Sequence, residues 1–158
     1  MWRMAWLALA LLTSVLPLSA ADVVAREGWV VIPTRKSYAE LIAAVDAAVA
    51  SKGMAVVAVA SASDGAAKQG IKIAGNRVIG IFRNDFARRL LALSANAGIE
   101  APLRMYVTEG TDGRATLSYK RPSYVFAPYI ADANGVGEIA TELDRAFDDI
   151  AKTAANAP

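Results

Sequence analysis

Apolar and polar residues alternate along two neighbouring stretches in the second half of the chain, which predicts a β-hairpin. In residues 103–109 and 114–120 nearly every second side chain is apolar, a period typical of strands with one buried face. Asp112-Gly113 lies between the two stretches and favours the left-handed backbone of a tight turn. The row predicted to face the core comprises Leu103, Met105, Val107, Ala115, Leu117 and Tyr119.

Apolar residues at a spacing of three or four predict amphipathic helices elsewhere. The first helix begins after Ser37, which forms a capping box with Glu40, and it ends at Gly53. A second helix follows residues 83–85, and the last spans residues 138–152. The final residues of the chain are predicted to fray.

Three further apolar runs predict the remaining strands. Residues 29–33 form a short β-rich run that Pro33 closes, residues 54–60 read MAVVAVA, and residues 78–82 read VIGIF. Because the second run is apolar throughout, we predict a buried strand there. Gly80 in the third run indicates a bulge or a close approach of another part of the chain.

The elements follow the order β-α-β-β-(α)-β-β-α. Several connections between strands are too short for a parallel crossover, so the sheet is predicted to be mainly antiparallel. The helices are then expected on one face of the sheet. This pattern predicts an α+β fold formed by a single domain, residues 22–158.

The first 21 residues have the pattern of a secretory signal peptide. Arg3 supplies the positive charge, an apolar run extends to Leu16, and Ser19-Ala20-Ala21 provides the small residues that precede a cleavage site. We predict cleavage before Asp22, and hence a periplasmic or secreted bacterial protein without a stable membrane anchor. The alternative, a retained anchor, is disfavoured because the apolar run is shorter than the ~20 residues that a membrane span needs.

The composition excludes several kinds of chemistry. The 158 residues include no Cys and no His, which rules out disulfides, thiol nucleophiles, cysteine zinc sites and histidine bases. We predict no metal site and no cofactor. The formal net charge of +2 gives no sign of binding to nucleic acid, and we predict no nucleic-acid partner.

Short motifs between residues 28 and 130 form a series whose order and spacing are specific. They are Ser37 at the head of the first helix, Lys52-Gly53 at its end, Gly70-Ile71, the third strand running into Asn84, Ala97-Gly98-Ile99 before Pro102-Leu103, Glu109 before Asp112-Gly113, and Tyr119 followed by Pro122. In these motifs the chain resembles the DUF302 family of small bacterial and archaeal domains. The resemblance implies a TBP-like α+β fold of β-α-β4-α order, and it implies no assigned activity.

The chain also departs from the pattern of many DUF302 members. Ser61-Ala62-Ser63-Asp64 stands where many members have an acidic residue beside a histidine. Ala127-Pro128-Tyr129 stands where a histidine often occurs, and Asn84-Asp85 replaces a frequent Asn-Pro. A histidine-based mechanism for the family therefore cannot apply to this chain.

The polar face of the hairpin is the first candidate site. Arg104, Tyr106 and Lys120 are expected to lie together there, where they could bind an anionic or aromatic ligand. The alternative is the ordinary solvent face of a sheet that is covered on one side only. Tyr119 falls on the apolar side, where its hydroxyl needs a hydrogen-bond partner.

Arg83-Asn84-Asp85 is the second candidate site, because amides at a helix N-terminus can bind an anion. The alternative is capping of the helix by Asn84 or Asp85. Glu109 and Asp112 flank the turn, and their spacing suits turn chemistry or a weak cation site. The candidate ligand-binding residues are therefore Arg83, Asn84, Arg104, Tyr106, Tyr119 and Lys120.

An aromatic trio in the predicted loop 123–136 has two interpretations: Tyr124, Phe126 and Tyr129 either cover a cavity or pin the loop. For the whole chain, the first hypothesis is a non-enzymatic exported module that binds a small ligand or a protein partner. The second is an enzyme that uses Tyr, Lys, Arg or carboxylate groups. The third is a structural protein that forms a homodimer.

Overall fold

The computed structural model describes residues 22–157, so the predicted signal peptide lies outside the described residues. The strands are β1 (Trp29–Pro33), β2 (Ala55–Ala60), β3 (Asn76–Phe82), β4 (Leu103–Glu109) and β5 (Ala115–Lys120). The helices are α1 (Tyr38–Ser51), α2 (Ala62–Ala67), α3 (Asn84–Leu93), α4 (Pro122–Phe126) and α5 (Val136–Asn156). Short 3-10 helices occupy Asn96–Glu100 and Ala127–Tyr129.

The five strands form one antiparallel sheet in the order β1-β5-β4-β3-β2, which confirms the predicted α+β fold. The predicted turn joins β4 to β5: Gly113 has a φ of +77°, and the Asp112 carboxylate accepts a hydrogen bond from the Arg114 amide at 3.0 Å. The first strand of the chain thus pairs with the last, and the hairpin contributes central strands.

Helices α1 and α5 pack against each other and cover one face of the sheet. The hairpin row predicted for the core is buried there, and α5 adds Leu143, Phe147 and Ile150. We call the opposite side of the sheet the open face. Strand alternation places Arg104, Tyr106 and Lys120 on it, as predicted.

Both predicted ends of α1 are confirmed. The Ser37 hydroxyl accepts a hydrogen bond from the Glu40 amide, and the Glu40 carboxylate accepts one from the Ser37 amide. At the other end Gly53 has a φ of +64°, and its amide and that of Met54 donate to carbonyls of the last turn. This is a Schellman arrangement, which satisfies carbonyls that the helix leaves without partners.

The prediction that residues 54–60 form a buried strand is wrong. Strand β2 lies at one edge of the sheet, and all six of its residues are exposed. Only Met54, which precedes the strand, is buried. A run of small apolar residues is compatible with an edge position as well as with a central one, because the run does not encode the order of the strands.

Three predicted boundaries also differ from the structure. Helix α3 starts at Asn84 after Arg83, and no side chain at that N-cap position makes a capping hydrogen bond. The predicted loop 123–136 contains most of α4 and a 3-10 turn. The last helix continues through the residues predicted to fray, because Ala154 is completely buried against the core.

Gly80 shows the close approach that its position in the strand predicted. A Cβ atom at Gly80 would lie 2.8 Å from Pro102 Cγ and 3.0 Å from Ala58 Cβ. We expect Gly80→Ala to lower the free energy of unfolding by about 1–2 kcal/mol, measured by urea denaturation. Gly65→Ala is the matched control: its Cβ would meet nothing within 4 Å inside α2, so the helix should gain up to about 1 kcal/mol.

Candidate functional site

A groove of about 310 Å³ lies at one end of the open face. Side chains of four strands form its floor, and the segments before β4 and after β5 form its wall. Its lining residues are Trp29, Val78, Glu100, Leu103, Arg104, Tyr106, Ser118, Tyr119, Lys120 and Val125. We call it the open-face groove. Four of the six predicted ligand-binding residues therefore line one cavity.

Two cationic side chains of the open-face groove come from adjacent strands. Met105 pairs with Tyr119, so the same register continued by one residue sets Arg104 opposite Lys120. Both side chains are exposed, and among residues 22–157 neither forms an ion pair. Two cations directly opposite each other on adjacent strands, without a partner in the described residues, produce a local positive potential that attracts an anion.

Aromatic side chains lie beside these cations. Trp29 is the direct partner of Lys120 in the β1–β5 pairing, and the Lys120 ammonium lies 5.8 Å from the centre of the Trp29 ring. Tyr106 lies directly between Val78 of β3 and Ser118 of β5. Ser118 is buried although it faces away from the helices, because larger side chains surround it on the open face. The floor thus combines charge with flat apolar surface.

Glu100 is the acidic residue of the groove wall. Its carboxylate accepts a hydrogen bond from the Tyr129 hydroxyl at 2.9 Å, and this bond raises the pKa of Tyr129. The bond ties the 3-10 turn before β4 to the segment after α4. The groove wall is therefore built by two segments that hold each other, and one carboxylate partly balances the two cations.

Tyr119 contributes to the groove from the other side of the sheet. Its ring is buried 5.7 Å from the Phe147 ring, and its hydroxyl donates a hydrogen bond to the Asp148 carboxylate. The pKa of Tyr119 is raised, chiefly because its hydroxyl is buried and secondly because of this hydrogen bond to Asp148. The predicted core position and the predicted need for a partner are both confirmed, so Tyr119 supports the groove chiefly from beneath.

Arg83 and Asn84 are not among the residues that line the open-face groove. The Arg83 guanidinium binds both carboxylate oxygens of Asp85, at 2.7 and 3.0 Å, and lies over the Phe86 ring. This hydrogen bonding lowers the pKa of Asp85. Arg83 is therefore engaged within its own segment and does not line the open-face groove.

The remaining candidates have structural roles. The Glu109 carboxylate accepts a hydrogen bond from the Gly75 amide at 2.8 Å, and Asp112 stabilises the turn. Phe126 is buried in the core, while the Tyr124 ring packs over Gly28. The aromatic trio thus pins its segment, although Tyr129 also supports the groove wall.

Neither a metal-binding cluster nor a membrane-spanning helix occurs in the part of the chain that the structure describes. Residues 22–157 contain no group of three or more acidic side chains placed to hold a metal ion. No helix in this part of the chain has the length and apolar character required to cross a membrane.

Comparison with known proteins identifies the family. The model of the family "Domain of unknown function DUF302" matches residues 30–154. The chain belongs to the DUF302 family. The match extends beyond the motifs of residues 28–130 and includes most of α5.

A solved structure agrees with this assignment. The crystal structure of an uncharacterized conserved DUF302 protein from Bacillus stearothermophilus superimposes with a TM-score of 0.71. It covers 82% of this chain and 99% of its own, at 13% sequence identity, which supports a shared fold. No curated protein matches the chain by sequence.

Sequence reasoning missed several groove residues of this DUF302 domain. Trp29 was interpreted only as part of a strand, and Glu100 and Val125 lie in segments without a strong pattern. Trp29 reaches the hairpin through pairing between β1 and β5, which are distant in sequence. The local signal for Arg83 was available, because an aspartate two residues later can bind its guanidinium.

Proposed function

We propose that this DUF302 chain is a non-enzymatic binding module whose open-face groove holds a small anionic ligand with a flat apolar part. The observation that carries the proposal is the pair of unpaired cations, Arg104 and Lys120, beside the rings of Trp29 and Tyr106. A volume of about 310 Å³ lies within the range of small-molecule sites.

The two cations suit different parts of an anion. A guanidinium offers a planar fork of donors that matches a carboxylate or phosphate, and an ammonium acts as a point charge. Trp29 and Tyr106 then offer flat surfaces for an aromatic or other planar group. Glu100 in the groove wall would repel a second negative charge on the ligand. We therefore expect ligands that are anionic at one end only.

Matched pairs of small compounds test the proposal by thermal shift and calorimetry. Indole-3-acetate, 4-hydroxybenzoate and phenyl phosphate are compared with indole-3-acetamide, 4-hydroxybenzamide and phenol. We expect at least one anion to raise the melting temperature while its neutral analogue does not. If none of the anions binds, or if the neutral analogues bind equally well, the charge argument is wrong.

Arg104→Met and Lys120→Met remove the charges and retain much of each apolar stem. Each variant is expected to weaken binding of the anion found above by about tenfold to a hundredfold, because a charge-assisted hydrogen bond is lost. Arg114→Met is the control, since Arg114 is exposed at the hairpin turn and pairs with Asp112. Equal affinities for all three variants would place the ligand elsewhere.

We also propose that the protein is exported and works in the periplasm or outside the cell. The support is the signal-like pattern of residues 1–21, and in particular the small residues before Asp22. The full chain is expressed in a bacterium, and the intact mass of the protein from the periplasmic fraction is measured. A mass that begins at Asp22 is expected. Full-length protein retained in the cytoplasm would contradict export.

A further inference from the structure

Strand β2 presents an apolar edge to solvent along its whole length. Its sequence is AVVAVA, and Val56, Val57 and Val59 are 36%, 54% and 55% exposed. It pairs with β3 on one side, and no strand formed by residues 22–157 pairs with its other side. Its outer side therefore carries backbone donors and acceptors that a further strand could use.

Natural proteins usually protect such an edge with a charge, a proline, a β-bulge or a covering segment. Strand β2 contains no charged residue and no proline, and its one irregularity is the bulge between Val56 and Ala58. At the opposite edge of the sheet β1 ends in Pro33, and Asp22 and Val23 lie beside Val31 and Pro33. The two edges thus differ, and β2 has the composition of a strand that pairs with another chain.

We propose that β2 is the interface of a homodimer in which two copies of β2 pair antiparallel across a two-fold axis. An antiparallel strand is its own complement under a two-fold rotation, because each copy offers the same series of donors and acceptors. Alanine and valine side chains bring neither bulk nor like charges to the contact. In the dimer the β2 edge of each copy is covered by β2 of the other copy. No β2 edge is left for a third chain, so the assembly closes at two chains.

The charges that flank β2 do not oppose this contact. Arg77 forms an ion pair with Asp64 at 2.8 Å, and Lys52 forms one with Asp149 at 3.1 Å. On the helical side a cavity of about 310 Å³ runs beside the strand and is lined by apolar residues that include Val49, Val56 and Val59. Valines of the partner β2 would continue this surface and cover it.

A segment of the same chain is a less suitable occupant. The described chain begins at Asp22 beside β1, at the far edge of the sheet, about 20 Å away across four strand spacings. Residues 1–21 are also predicted to be removed as a signal peptide, so we do not propose them as the occupant of this edge. The inferred dimer is independent of the open-face groove, and either proposal can fail without the other.

The geometry of the dimer follows from the strand. A bulge shifts the register between Val56 and Ala58, and both copies carry it near the middle of β2. A two-fold axis at this point sets Ala55 of one copy opposite Ala60 of the partner. Because such an axis is perpendicular to the sheet, both open faces lie on the same side of a ten-stranded sheet.

Analytical ultracentrifugation of protein purified from cells that express the full chain tests the dimer. The protein is expected to sediment as a dimer, and Val57→Lys and Val59→Lys should each raise the dimer dissociation constant by more than about tenfold. Val57→Lys places like charges beside the two-fold axis, and Val59→Lys places a charge against Val56 of the partner subunit. Ile99→Lys is the control, because Ile99 is 81% exposed and remote from β2. A monomeric protein at high concentration, or a dimer that survives both lysines, overturns the proposal.

Cysteine cross-linking adds a second measurement, since the chain has no cysteine of its own. In directly opposite residues of paired strands the Cα atoms are close enough for a disulfide. In this register Val57 of one copy lies opposite Ala58 of the partner subunit. A mixture of the Val57→Cys and Ala58→Cys proteins should therefore cross-link under mild oxidation, whereas Ile99→Cys should not. Folding of each variant is checked by circular dichroism. Cross-linking at Ile99 in preference to β2 also overturns the proposal.

Discussion

Phe147→Ala is expected to lower the free energy of unfolding by about 3–5 kcal/mol, the largest loss we predict for one substitution. Phe147 is completely buried on α5 and packs its ring against Tyr119 of the central hairpin. Its truncation removes apolar contacts and leaves a cavity where α5 meets the sheet. Urea denaturation followed by circular dichroism measures the loss.

Arg145→Ala serves as the control for Phe147→Ala. Arg145 lies on the same helix, is exposed and is two residues away, so its effect should stay within about 0.5 kcal/mol. Comparable effects for the two variants would mean that α5 does not cover the sheet as described. A large effect for Phe147→Ala alone supports the placement of the core between α5 and the hairpin.

The second large effect is a loss of stability at alkaline pH. Burial and the Asp148 carboxylate raise the pKa of Tyr119, whereas an unfolded tyrosine ionises near about pH 10. Above that pH the unfolded chain loses a proton that folded Tyr119 retains, so ionisation favours unfolding. We expect full stability below about pH 10 and a decline above it of at most about 1.4 kcal/mol per pH unit, or roughly 2 kcal/mol near pH 12.

Urea denaturation over a series of alkaline pH values measures this slope. Tyr119→Phe removes the ionisable hydroxyl and should flatten the decline relative to the unaltered protein. Tyr129→Phe should change the slope much less, because the half-buried bond between Tyr129 and Glu100 is screened by solvent more than the bond of Tyr119. Identical slopes for the unaltered protein and Tyr119→Phe would show that Tyr119 does not cause the decline.

Local patterns predicted the central part of the fold well. The period-two alternation of the hairpin assigned Met105, Val107 and Leu117 to the core, and all three are fully buried. The capping box at Ser37 and the positive φ at Gly53 are equally local signals. Such features depend on residues a few positions apart, so one sequence is sufficient to predict them.

Long-range features were less accessible. The apolar run of β2 carries no information about whether a strand is central or at an edge, and this caused the wrong prediction. Alternation placed Arg104 and Lys120 on one face, but only the pairing of β1 with β5 adds Trp29. The candidate site was therefore predictable as a polar strand face, whereas its shape as a groove required the tertiary structure.

The strand order constrains how this chain acquires its structure during synthesis. Strand β1 is made early, yet within the described residues it pairs with β5, formed by residues 115–120. The emerging polypeptide cannot complete its sheet until most of its length is available, and pairings of such high sequence separation form slowly. A nascent or prematurely terminated chain would therefore keep β1 unpaired and prone to aggregation, and late folding would be compatible with the export that we propose.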